Sequence, residues 1–178
     1  MSGPDGLGDF TAALSQLGQY PAADIIGMLT GFAVDLRAHA PLALRALLER
    51  MGVVDATRKV PLLYLLDSIV KRERAAYAAP LVAAVPAFFP AMFRAVGDKD
   101  KLRSRKVLKG WRLERLVPPH VLDPVWAQVQ GWCDANVNRV RVAEGKPPLP
   151  AGAAPVAASS HRRSHQRTQD RRPQSSHN

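Results

Sequence analysis

Apolar residues recur through most of the chain at three- and four-residue intervals, the spacing that places them on one face of an α-helix. A dense pattern of this kind lies near the centre, in residues 59–71, where the apolar positions 62, 65, 66, 69 and 70 form a continuous stripe. Pro61 fits the first turn of this helix, because a missing backbone N–H is tolerated there. The pattern predicts a central and largely buried helix.

Seven further helices are predicted around the central one. Their approximate bounds are 9–17, 22–39, 41–51, 77–85, 87–96, 98–112 and 119–142. Asp9 is the expected cap of the first helix, Pro86 separates the fifth from the sixth, and close approach of another helix is the expected reason for Gly27 and Gly31. No alternating strand pattern of useful length and no hairpin signal occurs. The sequence therefore predicts an all-α fold of about eight helices.

Composition divides the chain into three parts. Residues 1–8 contain three glycines and one proline and are predicted to be flexible, whereas residues 9–143 carry the helical pattern and should form one domain. Residues 144–178 begin with a segment rich in proline and alanine and end in an arginine-rich segment without aromatic residues. Such a segment cannot bury enough apolar surface to offset its ordering entropy, so a linker and a disordered basic tail are predicted.

The charge of the chain favours an anionic partner. It has 25 Lys and Arg residues against 15 Asp and Glu, a net charge of +10, which suits nucleic acid, a phosphopeptide or a membrane surface. The single cysteine, Cys133, excludes an intramolecular disulfide and is expected to be a small packed apolar residue. No apolar run approaches the roughly 20 residues of a membrane span, and the N-terminus lacks the order of a signal peptide.

Motifs of enzymes are missing from the sequence. It contains no glycine-rich phosphate loop, no His, Cys or carboxylate cluster with metal-ligand spacing, and no serine or cysteine in a nucleophile motif. We therefore expect a binding module that is not an enzyme and uses no cofactor or metal.

Asp67 and Ser68 are polar exceptions within the central helix. A carboxylate beside so many apolar residues needs a partner. Asp67 can pair with Lys71 four residues later, or accept hydrogen bonds from a neighbouring helix. Alternatively, it can form the polar floor of a groove and accept hydrogen bonds from an extended ligand. The residues alone leave both interpretations open.

The seventh predicted helix is the most highly charged segment of the predicted domain. Residues 99–115 contain eight basic residues against two acidic ones, a local net charge of +6. On a helical wheel the inward positions are Ser104, Val107, Leu108 and Trp111. The basic residues form two flanks, one with Lys99, Arg103 and Lys106 and the other with Lys101, Arg105, Lys109 and Arg112. A solvated surface and a flank that faces an anionic ligand both remain possible, and Trp111 is expected to anchor the core.

Two segments resemble a known family. Residues 62–71, Leu-Leu-Tyr-Leu-Leu-Asp-Ser-Ile-Val-Lys, resemble the signature helix of the CTD-interaction domain. Residues 111–119, Trp-Arg-Leu-Glu-Arg-Leu-Val-Pro-Pro, are similar to the stretch that follows the basic helix in many members. The resemblance covers about residues 9–142 and implies eight helices in a right-handed superhelical array of the VHS and ENTH type. It also implies a nuclear protein that binds the phosphorylated C-terminal repeats of RNA polymerase II in mRNA 3′-end processing or transcription termination.

The resemblance implies a peptide groove between the second, fourth and seventh helices. At the matching positions, the residues that would receive the tyrosine and the β-turn of a repeat are Tyr64, Asp67, Ser68 and Ile69. Arg103 and Lys106 would meet a serine phosphate. Lys106 stands where several members have arginine, and it offers a point charge in place of a two-pronged donor.

Two other functions are compatible with a basic helical domain. The related VHS and ENTH domains are trafficking adaptors, and the net charge of +10 would suit an anionic membrane. A direct RNA-binding module could use the basic helix and the tail, where Arg162, Arg163, Arg167, Arg171 and Arg172 cluster. The signature helix favours binding of the polymerase repeats.

Overall fold

The computed structural model of the chain describes residues 5–149. These residues form eight α-helices and two short 3₁₀ turns, and no β-strand occurs among them. The helices are α1 (Asp5–Ala13), α2 (Ala23–Asp35), α3 (Ala40–Val53), α4 (Ala56–Arg72), α5 (Arg74–Ala95), α6 (Asp98–Leu113), α7 (Pro119–Ala135) and α8 (Val137–Ala143). The predicted all-α fold of about eight helices is confirmed.

The helices pack in an overlapping order along the chain. Each helix from α1 to α6 contacts the helix that comes two places later in the chain. The first of these pairs is α1 with α3, and the last is α6 with α8. Because each contacting pair begins one helix later than the previous pair, the helices form a staggered stack around one apolar core.

The central helix α4 contacts α2, α3, α5 and α6. All five positions of its predicted apolar stripe are buried, with at most 2% of each residue exposed. Lys59 is buried as well, and its ammonium group donates to the backbone oxygens of Met51 and Gly52. Carbonyls at a helix end lack partners within the helix, so Lys59 caps α3. The prediction of a buried central helix is confirmed, but Pro61 lies inside the helix and not in its first turn, because α4 begins at Ala56.

One helix replaces the two that were predicted on either side of Pro86. α5 runs without interruption from Arg74 to Ala95 and contains Pro80, Pro86 and Pro90. Residues 77, 81, 85, 89 and 93 are buried at four-residue spacing across all three prolines. Because this stripe packs against α3, α4 and α7, tertiary contacts outweigh the backbone hydrogen bonds that the prolines remove. The predicted break at Pro86 is wrong.

α5 also meets the length and composition criteria of a membrane-spanning helix. It has 22 residues, and its most apolar stretch has a mean hydropathy of 1.6. The expectation that no apolar run approaches this length is therefore wrong for α5. The core helix of a globular fold passes the same test, and Tyr77, Leu81 and Phe89 of α5 lie in the core.

The long C-terminal helix predicted for residues 119–142 is divided at Asn136. This residue has φ −120° and ψ 36° and separates α7 from α8. Its side-chain amide donates to the carbonyl oxygen of Trp132 at 2.8 Å, and such local bonds compete with continuation of a helix. The chain therefore turns at Asn136, and α8 packs against α6 and α7.

The first helix begins earlier than predicted. α1 starts at Asp5, so Asp9 lies inside the helix and the expectation that it caps the N-terminus is wrong. Residues 1–4 of the segment predicted to be flexible lie outside the described residues. The basic tail and most of the predicted linker, from residue 150 onward, also lie outside them.

Gly27 and Gly31 do not mark a close helix contact. A Cβ atom added at either position would have no neighbouring atom within 4 Å, apart from the helix's own backbone and chain neighbours. The predicted close approach is therefore wrong. Both glycines leave the surface of α2 open beside the contact between α2 and α4.

Candidate functional site

The side chain of Asp67 joins α4 to α6. Its Oδ1 atom accepts a hydrogen bond from the indole N–H of Trp111 at 2.8 Å, and its Oδ2 atom lies 3.1 Å from the ammonium of Lys71. Lys71 also pairs with Glu114 at 3.1 Å. The sequence offered two structural partners for Asp67, an ion pair with Lys71 and a hydrogen bond from another helix, and the structure shows both. The Asp67 side chain is still 20% exposed, so a ligand can reach it.

The ion pairs of Lys71 affect its protonation. Burial acts to lower the pKa of Lys71, but hydrogen bonds to Glu114 and Asp67, together with their charges, outweigh it and raise the pKa above the ordinary value. Lys71 is therefore cationic at neutral pH and holds the two carboxylates together. Because Asp67 lies in α4 and Glu114 directly follows α6, this cluster fixes the distance between the two helices.

Ser68 lies on the side of α4 that faces α2. Its hydroxyl oxygen is 2.9 Å from the hydroxyl oxygen of Thr30, which is also 2.7 Å from the carbonyl oxygen of Ile26. The Thr30 hydroxyl carries one proton and is the only possible donor to the Ile26 carbonyl, so the Ser68 hydroxyl must donate to Thr30 if both bonds are to form. Ser68 thus has a partner in α2 and is half-buried at the junction of the two helices.

Tyr64 lies one turn before Ser68, on the wall of a cavity of about 330 Å³. The polar lining of this cavity includes Gln19, Tyr20, Asp100 and Arg103. Burial raises the pKa of the Tyr64 phenol, the charge of Arg103 acts against this shift, and the charges of Asp100 and Asp67 add to it. The phenol is therefore neutral at pH 7 and available as a hydrogen-bond donor.

Arg103 and Lys106 lie on α6 in different environments. Arg103 pairs with Asp100 at 2.8 Å beside the Tyr64 cavity. Lys106 is exposed and forms no ion pair within residues 5–149. The pKa of Glu144 is lowered mainly by its hydrogen bond from Lys146, and the charges of Arg105 and Lys106 contribute in the same direction. Lys106 lies one helical turn after Arg103 on α6.

We call the surface formed by Tyr64, Asp67, Ser68 and Arg103 the α2/α4/α6 surface, and Thr30 of α2 lies buried beneath Ser68. α4 runs along its centre, with Tyr64 beside Asp100 and Arg103 at one end and Lys71 beside Glu114 at the other. α4 and α6 consequently run in the same direction. The half-buried side chains of Tyr64, Asp67 and Ser68 form a lengthwise polar strip, and the exposed Arg103 lies beside it. Such a strip suits an extended chain with its own hydrogen-bonding groups and acidic side chains.

Comparison with protein families gives a match to the CID domain over residues 8–125. This match covers well over half of the chain. The chain belongs to the CID domain family. CID domains are interaction modules that bind the C-terminal repeats of RNA polymerase II, and no enzyme family is indicated. The match distinguishes this chain from the VHS and ENTH adaptors that the charge also allowed.

A solved structure has the same fold as this CID domain. The crystal structure of the RPR of Pcf11 is similar with a TM-score of 0.62 and 20% sequence identity, and the match covers 66% of this chain and 92% of that chain. A comparison with curated proteins found no match. At this identity the structural similarity establishes the fold alone. The CID match includes every residue of the α2/α4/α6 surface and ends at Val125, within α7.

Ile69 is the predicted site residue that the fold places away from this surface. It is 2% exposed and belongs to the core. Its side chain packs in the core on the inner side of α4 and offers no contact area to a ligand, because adjacent residues of a helix point in different directions. Tyr64, Asp67, Ser68 and Arg103 lie together, and Lys106 lies one turn beyond Arg103.

Trp111 and Asp100 are the contributors that sequence reasoning missed. Trp111 was expected to anchor the core, and it does so at 0% exposure, but its bond to Asp67 joins residues 44 positions apart that no spacing rule connects. Asp100 precedes Arg103 by three residues on a helix, a spacing that predicts an ion pair. This second contact could have been inferred from the sequence.

Proposed function

We propose that this CID domain binds the phosphorylated C-terminal heptad repeats of RNA polymerase II, in the nucleus, during mRNA 3′-end processing or transcription termination. The coarser role, an interaction module for the polymerase repeats, follows from the family. The phosphate dependence, the localisation and the residues are our proposal. The α2/α4/α6 surface is the proposed binding site.

The observation that carries this proposal is the fixed but accessible carboxylate of Asp67. Trp111 and Lys71 each hold one of its oxygens, and the side chain remains 20% exposed. A carboxylate oxygen accepts more than one hydrogen bond, so each oxygen can accept a further bond from a ligand. Because its orientation is fixed in advance, binding does not incur the full entropy cost of ordering it.

Arg103 and Lys106 are the proposed phosphate-binding residues. A phosphoserine carries about −1.5 to −2 charges at neutral pH and has strong acceptor oxygens. Lys106 has no carboxylate partner among the described residues, whereas Arg103 must share its guanidinium between Asp100 and a phosphate. Lys106 is therefore the stronger candidate for a contact that depends on one particular phosphate.

Tyr64 and Ser68 complete the proposed site. Tyr64 presents a neutral phenol beside the cavity of about 330 Å³, which can accept an aromatic or proline ring of the repeat. Ser68 offers a hydroxyl at the junction with α2. Ile69 acts only as buried support for this part of α4.

The decisive experiment is fluorescence anisotropy with labelled two-repeat peptides. One peptide is unphosphorylated, and the others carry one phosphate at the second, fifth or seventh serine or at the fourth-position threonine. We expect phosphate-dependent binding that Asp67→Ala weakens for every peptide. We expect Lys106→Ala to weaken binding mainly of one phosphorylated form.

Lys101→Ala is the matched control, because Lys101 lies about 140° around the same helix from Lys106, with its ammonium over the Trp132 ring of α7. It removes the same charge and should change peptide affinity by less than about twofold. Failure of the folded wild-type protein to bind any of the peptides would overturn the proposal.

RNA contact through the basic helix and the tail remains a separate proposal. The tail arginines lie outside the described residues. The flank of α6 that faces α7 is described, and its contacts indicate a more specific site.

A further inference from the structure

A second basic surface lies on the flank of α6 that faces α7. Lys101 Nζ is 4.9 Å from the ring centroid of Trp132. The guanidinium carbons of Arg105 and Arg112 are 5.5 Å and 5.6 Å from the ring centroid of Trp126. Cations held over aromatic faces have restricted positions, so this flank differs from a row of freely solvated side chains.

One end of this surface contains a cavity of about 390 Å³. Phe93 and Trp132 line it, with their ring centroids 5.7 Å apart and their planes at 84°. Lys101, Arg94 and Gln128 provide the polar lining. Neither Lys101 nor Arg94 forms an ion pair in the part of the chain that the structure describes, so both cations are available to an anion.

These groups match the chemistry of an unpaired nucleotide. Single-stranded nucleic acids bind where bases stack on aromatic rings, amides contact base edges and basic side chains follow the phosphates. The half-buried ring of Trp132 can stack on a base once Lys101, whose ammonium lies 4.9 Å from the ring centroid, moves from the ring to a phosphate. Gln128 supplies the amide, and Arg94 provides the second cation. A lipid headgroup would use the cations but would leave the aromatic cavity and the amide without a role.

We propose that the surface between α5, α6 and α7 binds single-stranded nucleic acid, with one unstacked base in the cavity beside Trp132 and its phosphates on Lys101 and Arg94. Arg105, which donates to Gln130 at 2.8 Å, and Arg112, which pairs with Asp123 at 3.0 Å, add positive charge beside the next nucleotides along α6. The cavity falls in the size range of small-molecule sites, about 300 to 1,000 Å³.

This site is independent of the proposed repeat-binding surface. Lys101 and Arg105 are each two residues from Arg103, which places them about 200° around the helix from it. Trp132, Gln128 and α8 also lie beyond the segment that matches the CID domain. The two flanks of α6 can therefore hold a peptide and a nucleic acid strand at the same time.

The test uses two pairs of substitutions in the full chain that remove equal charge. One variant carries Arg94→Gln with Lys101→Gln, and the control carries Arg103→Gln with Lys106→Gln. Binding of labelled ten-nucleotide RNA and DNA strands of the same sequence is measured by anisotropy across a range of salt concentrations. RNA binding that exceeds DNA binding assigns the site to RNA, and equal binding assigns it to single strands of either kind.

We expect the variant with Arg94→Gln and Lys101→Gln to bind the strands about tenfold more weakly or worse. The slope of log affinity against log salt should fall by about 1.4, since each of the two lost phosphate contacts contributes about 0.7. The control pair should retain that slope, while it weakens phosphopeptide binding. If both variants lose the same strand affinity and show the same reduction of the salt slope, the proposal is overturned, because the attraction would then be a general electrostatic one.

Photo-crosslinking tests the base contact without a substitution. A strand with one 4-thiouridine is irradiated with the wild-type protein, and the modified peptide is identified by mass spectrometry. We expect modification at Trp132 or Phe93. Crosslinks confined to residues 150–178 would overturn the proposal, since the strand would then be bound by the basic tail.

Discussion

The indole N–H of Trp111 donates to Asp67 Oδ1 across 2.8 Å, so a fully buried ring of α6 orients a partly exposed carboxylate of α4. The ring of Trp111 is held in turn by the edge of Phe89 on α5, with centroids 6.1 Å apart. The geometry of the proposed peptide site therefore depends on the packing of three helices.

Replacement of Asp67 should separate its structural role from its binding role. Asp67→Ala leaves the buried N–H of Trp111 without an acceptor and should lower the free energy of unfolding by about 1–3 kcal/mol. Asp67→Asn retains an acceptor oxygen and should cost less than about 1 kcal/mol. Urea denaturation followed by circular dichroism measures both. Equal losses would show that the charge of Asp67, and not its bond to Trp111, stabilises the fold.

Removal of the Asp100 charge should strengthen binding of phosphorylated repeats. Asp100 accepts a hydrogen bond from Arg103 at 2.8 Å and competes with a phosphate for the same guanidinium. Asp100→Asn should raise affinity for a phosphopeptide about two- to fivefold, the range expected for an exposed ion pair, and leave the unphosphorylated peptide unchanged.

Asp123→Asn is the control for this prediction. Asp123 pairs with Arg112 at 3.0 Å, on the other flank of α6, so its removal changes the net charge equally. If both variants strengthen phosphopeptide binding to the same extent, the effect comes from net charge and Asp100 does not compete at the site.

Gly27→Ala should stabilise the protein. The added methyl group meets no atom within 4 Å, and alanine is favoured over glycine inside a helix by about 1 kcal/mol. We expect a gain of about 0.5–1 kcal/mol in urea denaturation, and Gly31→Ala should act in the same direction. A loss of stability would indicate that another helix approaches α2 closely, as the sequence had suggested.

Tyr77 should make stability depend on pH in the alkaline range. Its hydroxyl donates to the carbonyl oxygen of Ala33 at 2.7 Å, and burial, followed by the charge of Glu73, raises its pKa from 10.0 to about 12. A raised pKa means that the folded state favours the neutral phenol. The stabilisation is therefore complete below about pH 10 and is lost as the pH rises toward 12.

The measurement compares the wild type with Tyr77→Phe between pH 8 and pH 12. The variant lacks the hydroxyl at every pH, so it should be less stable at pH 8 by about 0.5–1.5 kcal/mol. The difference between the two proteins should shrink above pH 10. A difference that stays constant to pH 12 would contradict the raised pKa of Tyr77.

Helix faces were predictable wherever the apolar pattern was regular. Ser104, Val107, Leu108 and Trp111 were placed on the inward face of the basic helix, and all four are buried. The expected packing of Cys133 is likewise confirmed at 7% exposure. The spacing indicates the side of each helix that covers the core, but it did not predict the burial of Leu102 on another side of the basic helix.

Rules about single residues failed where tertiary contacts outweighed them. Pro86 was expected to end a helix, yet the stripe from Tyr77 to Phe93 keeps its four-residue spacing across it. The side-chain bond that interrupts the helix at Asn136 depends on local geometry that composition does not reveal. The partner of Asp67 in α6 could not be inferred either, since contacts between distant residues leave no pattern in a single sequence.

The three prolines of α5 bear on the order in which the protein folds. Each removes one amide proton, so the carbonyls of Ala76, Val82 and Pro86 have no donor at the usual helical position. The isolated segment cannot sustain a helix, and α5 must become helical as it docks between α3 and α7. We therefore expect local opening at α5 to disrupt its contacts with both α3 and α7, so that the proposed peptide surface and the proposed nucleic acid surface are lost in the same unfolding event.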